Sequence, residues 1–445
     1  MTIAQLFQFF LSISILVGLH ELGHFIPAKY FKTRVEKFYL FFDPWFSIVK
    51  KKIGGTEYGI GWLPLGGYVK IAGMVDESMD TEQLKKPAEP WEFRSKPAWQ
   101  RLIIMLGGVT VNFFLAWLIY SSLSYFKGEN FHDNLKFENG ISVSAEGKKM
   151  GLMTGDKILA IDGKPAERFE TSLVNMLFAE EVTVLREGKE VTFAVNEQGV
   201  ADVLKANEAK AYFSQRFPTV IDSITPNGGA QRSELKKGDK IVAIDGTPTP
   251  FFDQVTEVLA TKQNQDVNLT VIRNNQTLDT SVRVDKEGKL GFSTDINPLL
   301  SALKQTNVQK SYGFFEAIPR GLERTIDVLV MQVKQFKIVF NSTTQGYKKV
   351  SGPIGIIKQM PETINWEFFW SFTAMFSVWL AFLNLIPIPG LDGGHVVFTL
   401  WEMITGKPVP QKVLENAQMI GVIFLLGLMV LIFGNDIFKW ITGKF

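Results

Sequence analysis

Residues 102–126 read LIIMLGGVTVNFFLAWLIYSSLSYF, a run that contains no Asp, Glu, Lys or Arg. A helix needs about 20 apolar residues to cross the hydrocarbon core of a bilayer, so this run predicts a transmembrane helix. Three further charge-free blocks of similar length lie at 1–20, 368–391 and 416–435. Most of the charged side chains lie between the second and third blocks. The sequence therefore predicts a polytopic α-helical membrane protein with four transmembrane helices and a large polar insert.

The composition excludes several functional classes. The formal net charge is +2 and no stripe of Lys and Arg suits a nucleic-acid groove, so we expect no nucleic-acid partner. Cysteine is absent, which excludes disulfides and Cys-ligated metals and leaves His, Asp and Glu as possible ligands. The first block has no basic segment before it and no cleavage site after it, so we interpret it as a retained span rather than a signal peptide.

The distribution of basic residues predicts the orientation in the membrane. The loop 28–98 is rich in Lys and Arg, and by the positive-inside rule it is cytoplasmic. Four spans then place both termini and the insert outside, in the periplasm of a cell with two membranes, with the connector 390–415 on the cytoplasmic side. We expect a multi-pass protein of the inner (plasma) membrane.

The insert contains an internal repeat. Residues 155–165 read GDKILAIDGKP and residues 238–248 read GDKIVAIDGTP. Each copy predicts a short strand between two turns, followed by an amphipathic helix at 170–179 or 252–261. The pattern resembles PDZ domains of the bacterial type, which commonly bind peptide C-termini by strand addition. Residues 289–292 then read either as a carboxylate-binding loop or as a strand with a glycine bend.

The end of the first block carries a metal-binding motif. Residues 20–24 read HELGH and match the H-E-x-x-H zinc pattern. On a helix, His20 and His24 lie one turn apart on one face and can bind the same ion, with Glu21 beside them to reach a metal-bound water. Glu21 is the one charged residue between Met1 and Ala28, and a divalent metal would offset the cost of a carboxylate at membrane depth. Pro27 predicts that the helix ends or kinks just past His24.

A catalytic zinc site needs a third protein ligand. The remaining histidines are His132 and His395, and the stretch 384–395, NLIPIPGLDGGH, closes the third span. Spans one and three both descend to the cytoplasmic face, so topology places Asp392 near the end of the first helix. The prolines and glycines of this stretch break the helix and free backbone groups, which is tolerated only where protein or water satisfies them.

The two motifs, with tandem PDZ-like repeats between spans two and three, resemble the bacterial site-2 proteases over nearly the whole chain. The resemblance implies an intramembrane zinc metalloprotease with His20, His24 and Asp392 as Zn²⁺ ligands and Glu21 as the catalytic base. In that family the substrates are single-span proteins already trimmed by a first, site-1 protease, such as anti-sigma factors, and remnant signal peptides. The implied partners are therefore a membrane-spanning protein substrate and the lipid bilayer.

The resemblance also implies substrate-binding residues. Residues 107–113 look like the family's G-P-x-x-N-F element, although Gly108 stands where proline is usual. Asn112 and Asn384 are candidate contacts to the substrate backbone or the developing oxyanion, and the structural alternative for each is a hydrogen bond between helices. Residues 54–70 resemble a membrane-associated β-hairpin that would bind substrate through four residues: Leu65, Gly66, Gly67 and Tyr68. The stretch 41–44, FFDP, departs from the family's Gly-Phe-Gly.

These predictions give a domain map. We expect a fold of four transmembrane helices, a membrane-associated β-hairpin and two α+β PDZ domains. The predicted segments are TM1 at 1–27, the cytoplasmic loop at 28–98, TM2 at 99–126, PDZ1 at 127–206, PDZ2 at 207–296, an amphipathic interfacial helix and linker at 297–365, TM3 at 366–389, the connector at 390–415 and TM4 at 416–438.

Two other classes fit part of the pattern. A metal transporter would also place His and acidic residues in membrane helices, but inverted repeats are not apparent and PDZ domains have no evident role in it. A PDZ scaffold without catalysis would tolerate loss of the zinc residues, yet all four are present. Cleavage of a single-span peptide that stops with a zinc chelator would separate the three classes.

Overall fold

The computed structural model describes residues 1–64, 66–74, 87–206, 211–226 and 228–442. The helices are α1 (Ile3–Tyr30), α2 (Ala98–Lys127), α3 (Ala145–Lys149), α4 (Phe169–Asn175), α5 (Glu197–Lys205), α6 (Phe252–Thr261), α7 (Asn297–Thr306), α8 (Phe314–Phe340), α9 (Pro353–Gln359), α10 (Trp366–Leu385), α11 (Asp392–Thr405) and α12 (Gln411–Ile441). The strands are β1 (Val35–Leu40), β2 (Phe42–Ile53), β3 (Thr56–Leu63), β4 (Tyr68–Ile71), β5 (Glu129–His132), β6 (Ile141–Val143), β7 (Lys157–Ile161), β8 (Lys164–Pro165), β9 (Glu181–Arg186), β10 (Lys189–Ala194), β11 (Phe213–Gln215), β12 (Ile221–Ile224), β13 (Lys240–Ile244), β14 (Thr247–Pro248), β15 (Asp266–Arg273), β16 (Gln276–Arg283), β17 (Phe292–Thr294) and β18 (Asn307–Lys310).

The chain forms two compact units. The membrane unit comprises Met1–Gly128, Ser311–Lys334 and Val350–Phe445. The insert unit comprises Glu129–Lys310 and Gln335–Lys349.

Within the described residues of the membrane unit, four helices are long and apolar enough to cross a bilayer: α1, α2, α10 and α12. Each of them overlaps one of the four charge-free blocks. The helix does not end just past His24, because α1 continues through Pro27 to Tyr30. A kink at Pro27, the other form of the prediction, stays a prediction. Proline cannot donate to the carbonyl of Gly23, and that carbonyl lies instead against Gly107 of α2, where a Cβ would come within 2.0 Å of the Gly23 oxygen.

Helix α2 packs against both α1 and α10 and so forms the centre of the membrane unit. Glycine at 23 and 107 allows the backbones of α1 and α2 to approach closely, as small residues do at helix crossings in membranes. Polar side chains also join the spans, for Thr373 of α10 donates to the Ser12 hydroxyl of α1 at 2.9 Å. The glycine contact brings the C-terminal half of α1 against α2, and the hydroxyl contact joins α1 to α10.

The loop between α1 and α2 forms a four-stranded sheet with the order β2-β3-β1-β4. The segment 54–70 is therefore not itself a hairpin, since β1 lies between β3 and β4 and pairs with both. The hairpin of this sheet is instead made by β2 and β3. A sequence pattern cannot show that the earlier strand β1 inserts between two later ones, because this pairing is long-range.

The insert unit confirms the internal repeat. Its two four-stranded sheets have the orders β10-β9-β7-β8 and β16-β15-β13-β14, and each copy adds a two-stranded pair, β6 with β11 and β12 with β17. Each copy also has its own hydrophobic core. The predicted helix at 252–261 is α6, whereas 170–179 forms the shorter α4, which begins at Phe169 and is followed by a 3₁₀ turn.

A short helix before the third span is held by two of the spans. The carboxylate of Asp436 in α12 accepts backbone N–H groups from Gly352, Ile354 and Gly355 at the start of α9. At the other end of α9, the Gln5 side chain of α1 donates to the Met360 carbonyl at 2.8 Å. A buried carboxylate in an apolar helix is thus satisfied by the free N–H groups of a helix start.

Candidate metal centre

Two histidines on one face of α1 form the first part of the site. His20 and His24 are both buried, and their Nε2 atoms lie 3.2 Å apart. Nδ1 of His24 lies 2.8 Å from the carbonyl oxygen of Ile104 in α2. A carbonyl can only accept, so this contact places the Nδ1 proton and leaves Nε2 free to bind a metal.

Asp392 completes the cluster from a distant part of the sequence. It is the first residue of α11, and its Oδ2 lies 3.3 Å from Nε2 of His20 and 3.3 Å from Nε2 of His24. The three residues form the one group of at least three His, Asp or Glu side chains with metal-ligand spacing among the described residues. Ligands about 2.0–2.1 Å from a tetrahedral zinc ion lie roughly 3.3 Å from one another.

The surroundings of the Asp392 carboxylate also fit a bound metal ion. Its Oδ2 is buried, and within the described chain it has no hydrogen-bond partner. A buried carboxylate oxygen without a donor carries a large desolvation cost, and a divalent cation offsets it. The donor set of two imidazoles and one carboxylate, with a spacing close to a tetrahedron edge, fits Zn²⁺.

Glu21 lies beside the cluster and contacts the sheet. The backbone N–H of Val69 in β4 lies close enough to interact with the Glu21 carboxylate. Gly67, just before β4, is close enough that a Cβ there would lie 3.5 Å from Cγ of Glu21 and 2.9 Å from Val17. One edge of the sheet therefore runs along α1 at the level of the two histidines.

The two asparagines contact opposite edges of the same imidazole. The side-chain amide of Asn112 lies 3.2 Å from Nδ1 of His20, and that of Asn384 lies 3.3 Å from Nε2 of His20. Asn112 is fully buried between the helices, whereas Asn384 is partly accessible near the end of α10. Both asparagines therefore lie next to the metal cluster, Asn112 at Nδ1 of His20 and Asn384 at Nε2 of the same ring.

The remaining predicted residues are spread more widely. Leu65 lies outside the described residues. Gly66 packs against the ring of Phe42. The ring of Tyr68 stacks on Tyr39, and its hydroxyl donates to Asp43 at 2.9 Å.

The other two histidines are not in the cluster. His132 belongs to the insert unit, where its Nδ1 lies 2.5 Å from Glu170. His395 lies in the first turn of α11 and is not a member of the metal group.

Sequence reasoning did not identify the backbone partners of the site. The carbonyl of Ile104 and the N–H of Val69 carry no side-chain signal, so no motif could reveal them. Gln418 is different, because a polar residue in an apolar span is itself a signal of a buried contact. Its amide oxygen accepts the N–H of Gly390, two residues before Asp392.

Comparison with known proteins gives the class to which this geometry belongs. The family model of peptidase family M50 matches residues 8–428. The regulator of sigma E protease of Haemophilus influenzae is 28% identical over 97% of this chain and 98% of its own length. The regulator of sigma-E protease of Escherichia coli is also 28% identical, over 97% of this chain and 98% of its own. A relative in Vibrio cholerae, 27% identical over 96% of this chain and 97% of its own, is named as a zinc metalloprotease.

The chain belongs to peptidase family M50, the site-2 protease family. It is a zinc metalloprotease, and its apolar helices make it a multi-pass membrane protein.

Proposed function

We propose that His20, His24 and Asp392 hold the catalytic zinc and that Glu21 is the general base. The observation that carries this proposal is the convergence of the three ligand atoms, which all lie within 4.8 Å of one another although the residues come from opposite ends of the chain. The contact from Ile104 supports it, because it fixes the tautomer of His24 that a metal ligand needs.

The residues of the chain then have defined roles in peptide hydrolysis. A zinc ion in such a site acidifies a bound water and polarises a carbonyl oxygen. Glu21 takes the proton of the attacking water and delivers it to the leaving amine, a contribution of roughly 10²- to 10⁴-fold. The Val69 N–H holds the carboxylate of Glu21 in place.

The two asparagines have different roles in this proposal. Nε2 of His20 faces the metal and cannot then accept a hydrogen bond, so the Asn384 amide beside it is free to contact the substrate carbonyl or the oxyanion. Nδ1 of His20 keeps its proton when Nε2 is a ligand, and Asn112 can accept it through its side-chain oxygen, because amide O and N positions are interchangeable by a flip. Asn112 therefore orients the ligand.

The substrate is proposed to be a transmembrane segment that binds as an added strand. Peptide bonds in a helix are protected by the helix hydrogen bonds, so the segment must become extended, and extended backbone in lipid needs partners. Strand β4 pairs with β1 on one side and lies along α1 at Glu21 on the other. An extended segment between β4 and the metal would gain main-chain hydrogen bonds. Exposed Trp45 and Phe46 in β2 are consistent with a membrane-associated sheet.

The absence of cysteine permits a direct test of strand binding. A single cysteine at Lys70 of β4 is paired with cysteines scanned through a single-span substrate, in a variant with Glu21→Gln. Disulfides should form near the scissile bond, whereas a control cysteine at Lys52 of β2 should give none. Equal cross-linking at Lys52 would overturn binding at β4.

The insert unit is proposed to lie outside the cell membrane on the periplasmic side and to screen substrates. Its two repeats are proposed to be PDZ domains. In the second, β17 pairs with β12 on one edge, and the loop before β17 carries Gly288 and Gly291 at positive φ, an arrangement suited to binding a free carboxylate. Substrates would be single-span proteins, such as anti-sigma factors or signal-peptide remnants, after a first protease has trimmed them.

One experiment tests the activity itself. Purified protein is incubated with a single-span peptide, with and without a zinc chelator, and with Asp392→Ala as the matched inactive variant. We expect cleavage inside the hydrophobic segment that stops with chelation and is absent in the variant. Cleavage that persists in Asp392→Ala would contradict the ligand set.

A further inference from the structure

The turn between α10 and α11 determines where Asp392 lies. Inside the turn, the Ile388 N–H donates to the Ile386 carbonyl at 2.7 Å and the Leu391 N–H donates to the Ile388 carbonyl at 3.1 Å. Gly390, with a φ of +100°, donates instead to the side-chain oxygen of Gln418 in α12, at 3.1 Å. This bond is buried, so its loss would leave an unpaired N–H at membrane depth.

Helix α12 also packs directly on this turn. A Cβ at Gly421 would lie 1.6 Å from the carbonyl oxygen of Pro389, so the contact is backbone against backbone. The buried residues in the described part of α12 are Gln418, Gly421 and Asp436. Two of these three contact the turn, whereas most of the apolar surface of α12 is exposed. The close packing of this span therefore lies at two places, the Pro389–Gly390 turn and the start of α9.

The backbone holds Asp392 from two sides, through the turn before it and through α11, which packs against α2, after it. The Oδ2 atom that faces the histidines has no hydrogen-bond donor in the described chain. A metal site tolerates displacements of about 0.5 Å before the geometry fails. A shift of the turn would therefore move the carboxylate away from the two imidazoles.

We propose that Gln418 and Gly421 of α12 are positioning residues that hold Asp392 at the metal site. The fourth span thus contributes no ligand, but it sets the affinity for zinc through the turn that carries the third ligand. This inference rests on the proposed function, in which Asp392 binds the zinc.

The test measures zinc affinity of the purified full-length protein by competition with a chelator. Gln418→Met keeps the size of the side chain but removes the acceptor, and Gly421→Ala adds a Cβ against Pro389. Each should weaken zinc binding by about 10- to 100-fold, as loss of supporting contacts to ligands does. Gln418→Glu keeps an acceptor and should restore most of the affinity. Gly427→Ala is the matched control in the same helix, because a Cβ there meets nothing within 4 Å, and it should bind like the wild type.

A double-mutant comparison separates positioning from general damage. In an Asp392→Ala background, Gln418→Met should cause no further loss, because the ligand that it positions is gone. A further loss of the same size would overturn the proposal. If Asp392→Ala alone weakens zinc binding but Gln418→Met and Gly421→Ala do not, the positioning role is wrong and the ligand set stands. If Asp392→Ala leaves zinc affinity unchanged, both proposals fail.

Discussion

The imidazole of His20 is contacted on both edges by asparagines, and the identity of the nitrogen separates their roles. Asn112 lies at Nδ1, the edge that keeps its proton when Nε2 is a ligand, and Asn384 lies at Nε2. Groups that hold the far edge of a ligand histidine fix its orientation and affect metal affinity. A side chain beside the metal-binding nitrogen, such as Asn384, can instead contact the substrate that binds at the metal.

We therefore expect the two alanine variants to differ. Asn112→Ala should weaken zinc affinity by about 10- to 100-fold, because the His20 ring loses its support. Asn384→Ala should keep zinc affinity and lower turnover by roughly 10²-fold, the effect of losing one oxyanion contact. Chelator competition and peptide cleavage measure the two quantities. Equal loss of zinc in both variants would contradict this division.

Glu21→Gln tests the base. The amide keeps the shape of the side chain and can still contact the Val69 backbone, but it cannot take a proton. Turnover should fall by at least about 10²-fold with a full complement of zinc. Loss of zinc from Glu21→Gln would instead show that Glu21 holds the metal site together.

At the scale of elements, the Asp of the repeated Gly-Asp pair forms a buried ion pair in each copy. Arg186 donates two hydrogen bonds to Asp156 in the first copy, and Arg273 donates two to Asp239 in the second. Both carboxylates are buried and also accept a backbone N–H three residues earlier, from Met153 or Lys236. The acidic residues of the repeat are therefore structural rather than catalytic.

This pair predicts the acid sensitivity of the second copy. Burial raises the pKa of Asp239, but the Arg273 hydrogen bonds and the Lys236 N–H outweigh it, and the pKa lies below the ordinary value. A carboxyl with a lowered pKa stabilises the fold above its unfolded pKa of about 3.9, and this stability is lost as the pH falls through the folded value. Asp239→Asn should lower the stability of the second copy at pH 7, because the ion pair with Arg273 is lost.

Pulse proteolysis of the full chain in urea measures this effect. The difference between wild type and Asp239→Asn should be large at pH 7 and shrink toward pH 3. Asp222→Asn, which removes a more exposed ion pair with Lys237, is the control and should change stability much less. A constant difference across the pH range would contradict the role of the ionised carboxylate.

The sequence predicted those elements whose signal is local. Charge-free blocks located the four candidate membrane-spanning helices, and the duplicated GDKI segment located the repeat. The order β2-β3-β1-β4 could not be predicted from the sequence. Strand β1 comes first in the chain but lies between β3 and β4, which follow each other in the sequence and would be expected to pair directly. The continuation of α1 past Pro27 could not be predicted, because the carbonyl that Pro27 frees packs against Gly107, which lies on another helix.

At the scale of the whole molecule, the two ends of the insert lie side by side, so the residues between them can be deleted and the ends rejoined. Strand β5 at the start of the insert unit pairs with β18 at its end, so its two connections are already adjacent. Deleting residues 139–295 keeps this pair and removes both repeats. If the insert screens by size, the shortened protein should cut intact substrates that the full chain cuts only after trimming.

Cleavage assays with intact and pre-trimmed single-span substrates measure this difference. We expect the full chain to prefer the trimmed substrate strongly and the deletion variant to cut both at similar rates. Continued dependence on trimming in the deletion variant would show that selection takes place in the membrane unit.

The central claim is that residues from opposite ends of the chain bind one zinc ion. Zinc-edge X-ray absorption of the purified protein, compared with His20→Ala, His24→Ala and Asp392→Ala, tests it most directly. We predict a four-coordinate N/O site at about 2.0–2.1 Å with scattering from two imidazoles, which loses one imidazole in each His variant and keeps both in Asp392→Ala, with weaker binding in all three. A zinc spectrum without imidazole scattering, or one unchanged by every substitution, would contradict it.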